Sequence, residues 1–189
     1  MATTPKGSIK LAYILDCYPQ IKIENSECAD LGCNVGGFTR ELLSRGASLV
    51  HAIDTGYGTL DWDLRQDDRV DVRERQNALH ADWLKNQDVI VSDVAWTRQE
   101  KIVPAAFLAL NKGGSFFSLL KPQYELLEKV KRKGKKNILA EEQSQAIAQR
   151  VFEEISCPES HKVELHESPV LGGQDYKGNR EYWLAFTPC

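Results

Sequence analysis

Asp30, Asp54, Asp93 and Lys121 each stand at or near the point where an apolar run gives way to turn residues. Asp30 lies in the run Cys28-Ala-Asp-Leu31, which breaks into a turn containing Gly32, Gly36 and Gly37 and is followed at once by a helical pattern from Phe38. Glycines in such a turn let the backbone pass close to a ligand where no Cβ fits. The dinucleotide fingerprint places its glycines as G-x-G-x-x-G against a pyrophosphate. Here the order is G-x-x-x-G-G with an acid two positions before the first glycine. That suits a ligand with a cationic amine and no phosphate, such as S-adenosylmethionine, with Asn34 and Phe38 as further candidates to hold it. A strand-to-helix turn without a ligand has the same local pattern.

Asp54 ends the next apolar run, Ser48-Leu-Val-His-Ala-Ile53, and is followed by Thr55-Gly-Tyr-Gly58. An acid at the end of the second strand of a nucleotide-binding unit can accept both ribose hydroxyls. Asp54 and Thr55 therefore point to an adenosine ligand, and the glycine turn favours S-adenosylmethionine over NAD. Asn77, in the turn after a third short strand at Val70–Glu74, could orient an adenine edge or simply cap the next helix. Asp93 ends the buried run Asp88-Val-Ile-Val-Ser92, and Lys121, followed by Pro122, ends Ser115-Phe-Phe-Ser-Leu-Leu120. Ligands of open parallel sheets bind at the carboxyl ends of the strands, so these two side chains fall beside the same crevice.

The elements that must position these groups alternate strand and helix, which is an α/β pattern. Residues 8–18 give an amphipathic helix with Leu11, Ile14, Leu15 and Tyr18 on its apolar stripe, ended by Pro19. Lys10 lies at the edge of that stripe, where a lysine commonly snorkels to water. Strands are expected at Glu27–Leu31 and Leu49–Asp54, with a helix at Gly37–Ser44 between them. A later helix over Ile102–Leu110 should carry Pro104 in its first turn and close at Gly113-Gly114. A long helix over Leu139–Ile155 precedes a hairpin of strands at Lys162–Glu167 and Glu181–Thr187.

The chain has 189 residues and a net charge of −3, enough for one domain with a sizeable core. It reads as a single domain over 1–189, with an N-terminal helical segment (1–19) and a core (20–189). A dedicated nucleic-acid binder is usually basic overall, so any nucleic-acid surface must be local. The stretch Lys129-Val-Lys-Arg-Lys-Gly-Lys-Lys136 holds six cations in eight positions and is the candidate to track phosphates. The five cysteines are scattered and form no C-x-x-C, which suggests reduced thiols, no metal centre and a cytoplasmic location. No run reaches the length of a membrane span.

Asp30-Leu-Gly-Cys-Asn-Val-Gly-Gly-Phe-Thr39, Ala52-Ile-Asp-Thr-Gly-Tyr-Gly-Thr-Leu60, Ser92-Asp93, Lys121-Pro-Gln-Tyr-Glu125 and Gly178-Asn-Arg-Glu-Tyr182 occur in that order. Together they resemble the TlyA-type RNA methyltransferases, within the FtsJ-like (RrmJ) class of ribose 2′-O-methyltransferases. The similarity runs from about Lys6 to the C-terminus. It implies a Rossmann-like, S-adenosylmethionine-dependent fold: a mostly parallel seven-stranded sheet with an antiparallel last strand and helices on both faces. The class uses a Lys-Asp-Lys-Glu tetrad, which the motif matches carry onto Lys10, Asp93, Lys121 and Glu181. Lys10 and Glu181 come from the resemblance alone. TlyA proteins also carry an N-terminal S4-type RNA-binding domain, whereas this chain starts directly at the methyltransferase. After Asp93 the family pattern Ser/Leu-Ser-Phe-Ile is replaced by Val94-Ala-Trp-Thr97. Some members carry a haemolysin label, but no segment here resembles a membrane-active one.

The implied reaction methylates an RNA ribose 2′-hydroxyl. A lysine acts as its base only if its pKa falls from about 10.4 to near 7 through burial and a neighbouring cation. A lysine that stays charged would instead steer the hydroxyl and stabilise developing negative charge. Lys121 is the candidate for either role, with Lys10 as the neighbouring cation and Asp93 and Glu181 orienting the amines. Two other functions compete. One is a methyltransferase acting on a small molecule or another group. The other is a non-catalytic subunit of the same fold that binds RNA or a partner.

Overall fold

The computed structural model describes residues 4–81, 84–126, 138–173 and 177–189. The Lys129–Lys136 run lies outside the described residues. One seven-stranded sheet organises the molecule. Its strands are β1 (Glu27–Leu31), β2 (Leu49–Asp54), β3 (Val70–Glu74), β4 (Gln87–Ser92), β5 (Leu110–Leu120), β6 (His161–Glu167) and β7 (Tyr182–Pro188), in the spatial order β3-β2-β1-β4-β5-β7-β6. Strands β1 to β5 pair in parallel, and β7 runs antiparallel to both β5 and β6.

Burial on both faces explains the nearly continuous apolar runs of the central strands. Alternate residues serve opposite layers. Val89, Val91, Phe117, Leu119, Trp183 and Ala185 face α1 (Lys6–Asp16) and α2 (Gly37–Ser44), while Ile90, Phe116, Leu120, Leu184 and Phe186 face α4 (Gln99–Ala109) and α5 (Glu141–Glu154). A short helix α3 (Trp62–Arg65) interrupts the crossover from β2 to β3.

Helix boundaries differ from the sequence reading: the N-terminal helix spans Lys6–Asp16 rather than 8–18, so Tyr18 and Pro19 lie beyond it, and α4 differs at both ends. Helix α4 ends at Ala109 and β5 begins at once, so Gly113-Gly114 lies inside the strand. A Cβ on Gly114 would meet the carbonyl oxygens of Gln87 and Asp88 at 2.9 Å, so this glycine permits close strand approach and is not a helix stop. Pro104 sits beyond the first turn of α4. Its exposed position places the missing N–H on the solvent side, where water can satisfy the carbonyl it leaves free.

The direction of β7 completes the ligand edge of the sheet. Parallel strands end at Leu31, Asp54, Glu74, Ser92 and Leu120, and an antiparallel strand among them must begin at that same edge. Glu181, immediately before β7, therefore arrives beside Asp93 and Lys121.

Candidate active site

The edge encloses a cavity of about 400 Å³, within the range of small-ligand sites. Of the residues singled out from the sequence, Gly32, Asn34, Asp54, Thr55, Asn77, Asp93 and Lys121 line it. Gln76, Thr59 and the loop Val94–Thr97 also line it and were not anticipated. Their signal in the sequence was only position: each follows a strand end.

At one end of the cavity Asp54 is fixed by two backbone donors. The N–H of Asn34 donates to Oδ2 at 2.9 Å and the N–H of Gly56 to Oδ1 at 2.7 Å. Asn34 has φ +48°, which turns its N–H toward that carboxylate. A carboxylate held this way has lone pairs left for two hydroxyls. Gly32, at φ +90°, forms the floor, and a Cβ there would meet the Asp93 carbonyl oxygen at 2.8 Å. Asn77 both lines the cavity and caps the following turn, its Oδ1 accepting from the Leu79 N–H at 3.0 Å.

Asp30, Gly36, Gly37 and Phe38 take other positions than the ligand wall. Asp30 is fully buried beneath it, with Oδ2 accepting from the Thr39 N–H at 2.9 Å and the Thr39 hydroxyl at 2.7 Å. That anchors the start of α2 to β1. Its Oδ1 has no hydrogen-bond partner among the described residues. Burial, with Asp93 and Asp54 adding repulsion, pushes this carboxyl up to about 7 despite the Thr39 bonds. Gly36 has φ +95° and abuts Leu64, whose Cδ1 occupies the space a Cβ would need. Phe38 packs on Trp183 with ring centroids 5.5 Å apart. These residues shape the turn; the cavity itself begins at Gly32 and Asn34.

Gly37 sets the position of α1. Its Cα side faces Gly7, where an added Cβ would meet the Gly7 Cα at 2.9 Å, and the Ser8 hydroxyl donates to the Gly37 carbonyl at 2.8 Å. Small residues at 7 and 8 thus let two helices touch through their backbones. One turn later, Lys10 is carried inward. It is 7% exposed, and its Nζ lies 2.6 Å from Glu181 Oε2. The snorkelling expected from its place on the stripe does not occur, because an internal carboxylate is within reach.

The second pair is Lys121 with Asp93. Burial works to lower the Lys121 pKa, but the Asp93 and Glu181 carboxylates outweigh it and hold the ammonium above the ordinary lysine range. Burial likewise acts to raise Asp93, yet Lys121 and Lys10 leave it below its usual value. Glu181 goes the other way: burial, aided by Asp93, raises it despite the two lysines. The condition for a neutral Lys121 is therefore not met in this arrangement. Beside the pair, the Trp96 ring lies 4.8 Å from that of Tyr124, and Trp96 remains 63% exposed.

The cavity fits an adenosyl ligand. It offers a carboxylate for a ribose diol at Asp54 and a bare floor at Gly32. When bound, S-adenosylmethionine would supply an electrophilic methyl group at the Asp93–Lys121 end. Among the described residues no group of three His, Cys, Asp or Glu could hold a metal ion, and no helix is long and apolar enough to cross a membrane.

Comparison with known proteins agrees with this geometry. A family model described as FtsJ-like methyltransferase matches residues 4–187. The chain is 33% identical over 191 residues to the 16S/23S rRNA (cytidine-2′-O)-methyltransferase TlyA of Mycobacterium tuberculosis, covering 97% of this chain and 68% of that protein. It is 35% identical over 173 residues to Hemolysin A of Brachyspira hyodysenteriae, covering 88% of this chain and 69% of that one. A crystal structure described as a candidate hemolysin from Lactococcus lactis superposes with a TM-score of 0.83 at 29% identity, over 97% of this chain and 87% of that one. With the family model matched from residue 4 to residue 187 over a Rossmann-like fold, the chain belongs to the FtsJ-like methyltransferases and is an S-adenosylmethionine-dependent enzyme.

Proposed function

We propose that this chain methylates a ribose 2′-hydroxyl of RNA, most naturally ribosomal RNA, using Lys10, Asp93, Lys121 and Glu181. The observation that carries this reading is the convergence of two lysine–carboxylate pairs: Asp93–Lys121 on the cavity wall after β4 and β5, and Lys10–Glu181, from α1 and the residue before β7, buried outside the cavity lining. An alcohol attacking a sulfonium methyl becomes a stronger nucleophile as its proton leaves, and in-line alignment supplies much of the acceleration. The raised pKa of Lys121 favours the second of the two roles open to it. The ammonium orients the acceptor hydroxyl and stabilises the negative charge that develops on its oxygen. The hydroxyl proton passes to water at the open cavity mouth as the oxygen–methyl bond forms and the sulfur–methyl bond breaks, leaving S-adenosylhomocysteine.

Asp93 fixes the Lys121 ammonium and, as the carboxylate held below its usual range, stays ionised beside the reaction. Lys10 and Glu181 hold that charge balance from the buried side. The exposed face of Trp96, beside Tyr124, offers an aromatic surface to the base of the nucleotide being modified. TlyA of Mycobacterium tuberculosis is named as an rRNA (cytidine-2′-O)-methyltransferase, which supports the choice of substrate. The Lys129–Lys136 run would contribute phosphate contacts.

The test uses labelled S-adenosylmethionine and ribosomal RNA lacking the modification. A ribose 2′-O-methyl group blocks alkaline cleavage of the adjacent phosphodiester, so label should appear in alkali-resistant dinucleotides. Label in ordinary mononucleotides would mean a base had been methylated and would reject the ribose reading. K121A should lose at least about 100-fold in kcat while binding the cofactor normally by calorimetry. Wild-type turnover in K121A would discard the assignment of Lys121.

A further inference from the structure

Glu125 ends the Lys-Pro-Gln-Tyr-Glu stretch, and the proposed methyl transfer gives it no role. Its side chain is buried, 5% exposed. Burial pushes its carboxyl above the usual range, although the Gln99 N–H and the charges of Arg98 and Arg150 pull it down. Burying a carboxyl is costly unless its hydrogen bonds are replaced, and here they are replaced by a cross-link. Oε1 accepts from the backbone N–H of Gln99 at 2.8 Å. Gln99 is the first residue of α4, so Glu125 caps that helix from a different segment, at the end where a helix favours an acceptor.

Gln99 extends the link. Its Nε2 donates to the Leu119 carbonyl at 3.3 Å, and its Oε1 accepts from the Ser118 hydroxyl at 2.7 Å. Arg98 Nη2 donates to the Leu126 carbonyl at 3.1 Å, and Arg150 Nη2 donates to the Glu125 carbonyl at 2.9 Å. The consequence is geometric. Residues 93–99, which carry Asp93 and Trp96, are fastened to residues 118–126, which carry Lys121 and Tyr124. The fastening lies on the buried side, and the Asp93–Lys121 pair and the Trp96–Tyr124 contact span the same gap on the open side.

We infer that Glu125 is a positioning residue for methyl transfer, setting from behind the spacing between the Asp93–Trp96 loop and the Lys121–Tyr124 turn. This rests on the reading of Asp93 and Lys121 as the acceptor end. A misplacement of about 1 Å in such a site costs on the order of 100-fold in rate, whereas Asp54, at the end of β2 and held by the Asn34 and Gly56 N–H groups, keeps its contacts to the cofactor ribose.

The experiment compares wild type, E125A, E125Q and K121A. It measures kcat on ribosomal RNA, cofactor affinity by calorimetry, and the ¹⁹F spectrum of 5-fluorotryptophan-labelled protein, with W96F assigning the Trp96 line. E125A should lower kcat about 10- to 100-fold, weaken cofactor binding by a smaller factor because the Asp54 contacts on β2 remain, and shift the Trp96 line while the core Trp183 line stays in place. E125Q, whose amide oxygen can still accept from Gln99, should restore rate and spectrum. An E125A protein with wild-type kcat and an unmoved Trp96 line overturns the proposal, as does an E125Q protein as impaired as E125A. Wild-type turnover in K121A would sink the acceptor-end reading separately, and the Trp96 line would still decide whether Glu125 sets the loop. Should E125A fail to fold, Glu125→Asp replaces it: the charge stays, the reach to Gln99 is lost, and the same outcomes decide.

Discussion

Two aspartates in this site show how neighbours decide what a carboxylate does. Asp54 is held open by two backbone N–H groups at the cavity edge. Asp54→Ala should weaken cofactor binding by about 10- to 100-fold, the worth of one or two hydrogen bonds to a charged group, with the product S-adenosylhomocysteine affected alike because both carry the same ribose. Calorimetry with both ligands checks this. Asp30 is closed off by packing, and its titration is coupled to folding. Folding raises its pKa from about 3.9 in the unfolded chain to about 7. Between those values the folded chain keeps a proton that the unfolded chain has released. Its contribution to stability is therefore full below about pH 4, declines as the pH rises, and is lost once the pH passes about 7. Asp30→Asn should flatten that part of the profile, which urea unfolding across the range would reveal. A slope identical to wild type would mean Asp30 is ionised in the folded chain at acid pH.

At the scale of elements, the tetrad depends on contacts far from its charges. Helix α1 delivers Lys10 only because Gly7 and Gly37 let two helix backbones meet. Gly37→Ala would force the helices apart, since a Cβ would sit 2.9 Å from the Gly7 Cα. The expected cost is about 1–3 kcal/mol of stability, with kcat reduced more than cofactor affinity, because Asp54 stays on β2 while Lys10 moves. Denaturant unfolding and the two kinetic constants would test this; equal losses in rate and affinity would argue against a specific displacement of α1. Strand β7 is the other such element. Its antiparallel direction brings Glu181 to the working edge, and a parallel strand in that slot would deliver its last residue instead.

For the whole molecule, an acidic chain proposed to act on RNA needs its positive charge concentrated. The net charge is −3, yet six cations fall within residues 129–136. Neutralising three of them should reduce the salt slope of RNA binding by about two to three and leave cofactor binding untouched; an unchanged slope would remove that run from the interface.

Much of this architecture was legible in the sequence because burial leaves a strong imprint on it. Asp88–Ser92 and Ser115–Leu120 are apolar on both faces, so the strands, their order of use and the charged residues at their ends could be read directly. The glycine turn and the two acids indicated an adenosyl ligand from residue type and spacing alone. Three things needed the tertiary structure. Lys10 looked like an edge lysine because its partner, Glu181, is 171 positions away and the sequence carries no local sign of that contact. Asp30 looked like a ligand contact because its type and spacing suit a cationic amine, whereas packing has turned one oxygen to Thr39. The charge of Lys121 was undecidable from composition, since burial and nearby carboxylates act in opposite directions and only their distances settle the balance. Periodicity is a local property and the chain writes it plainly; which charges meet is a property of the closed fold, and only the closed fold decides it.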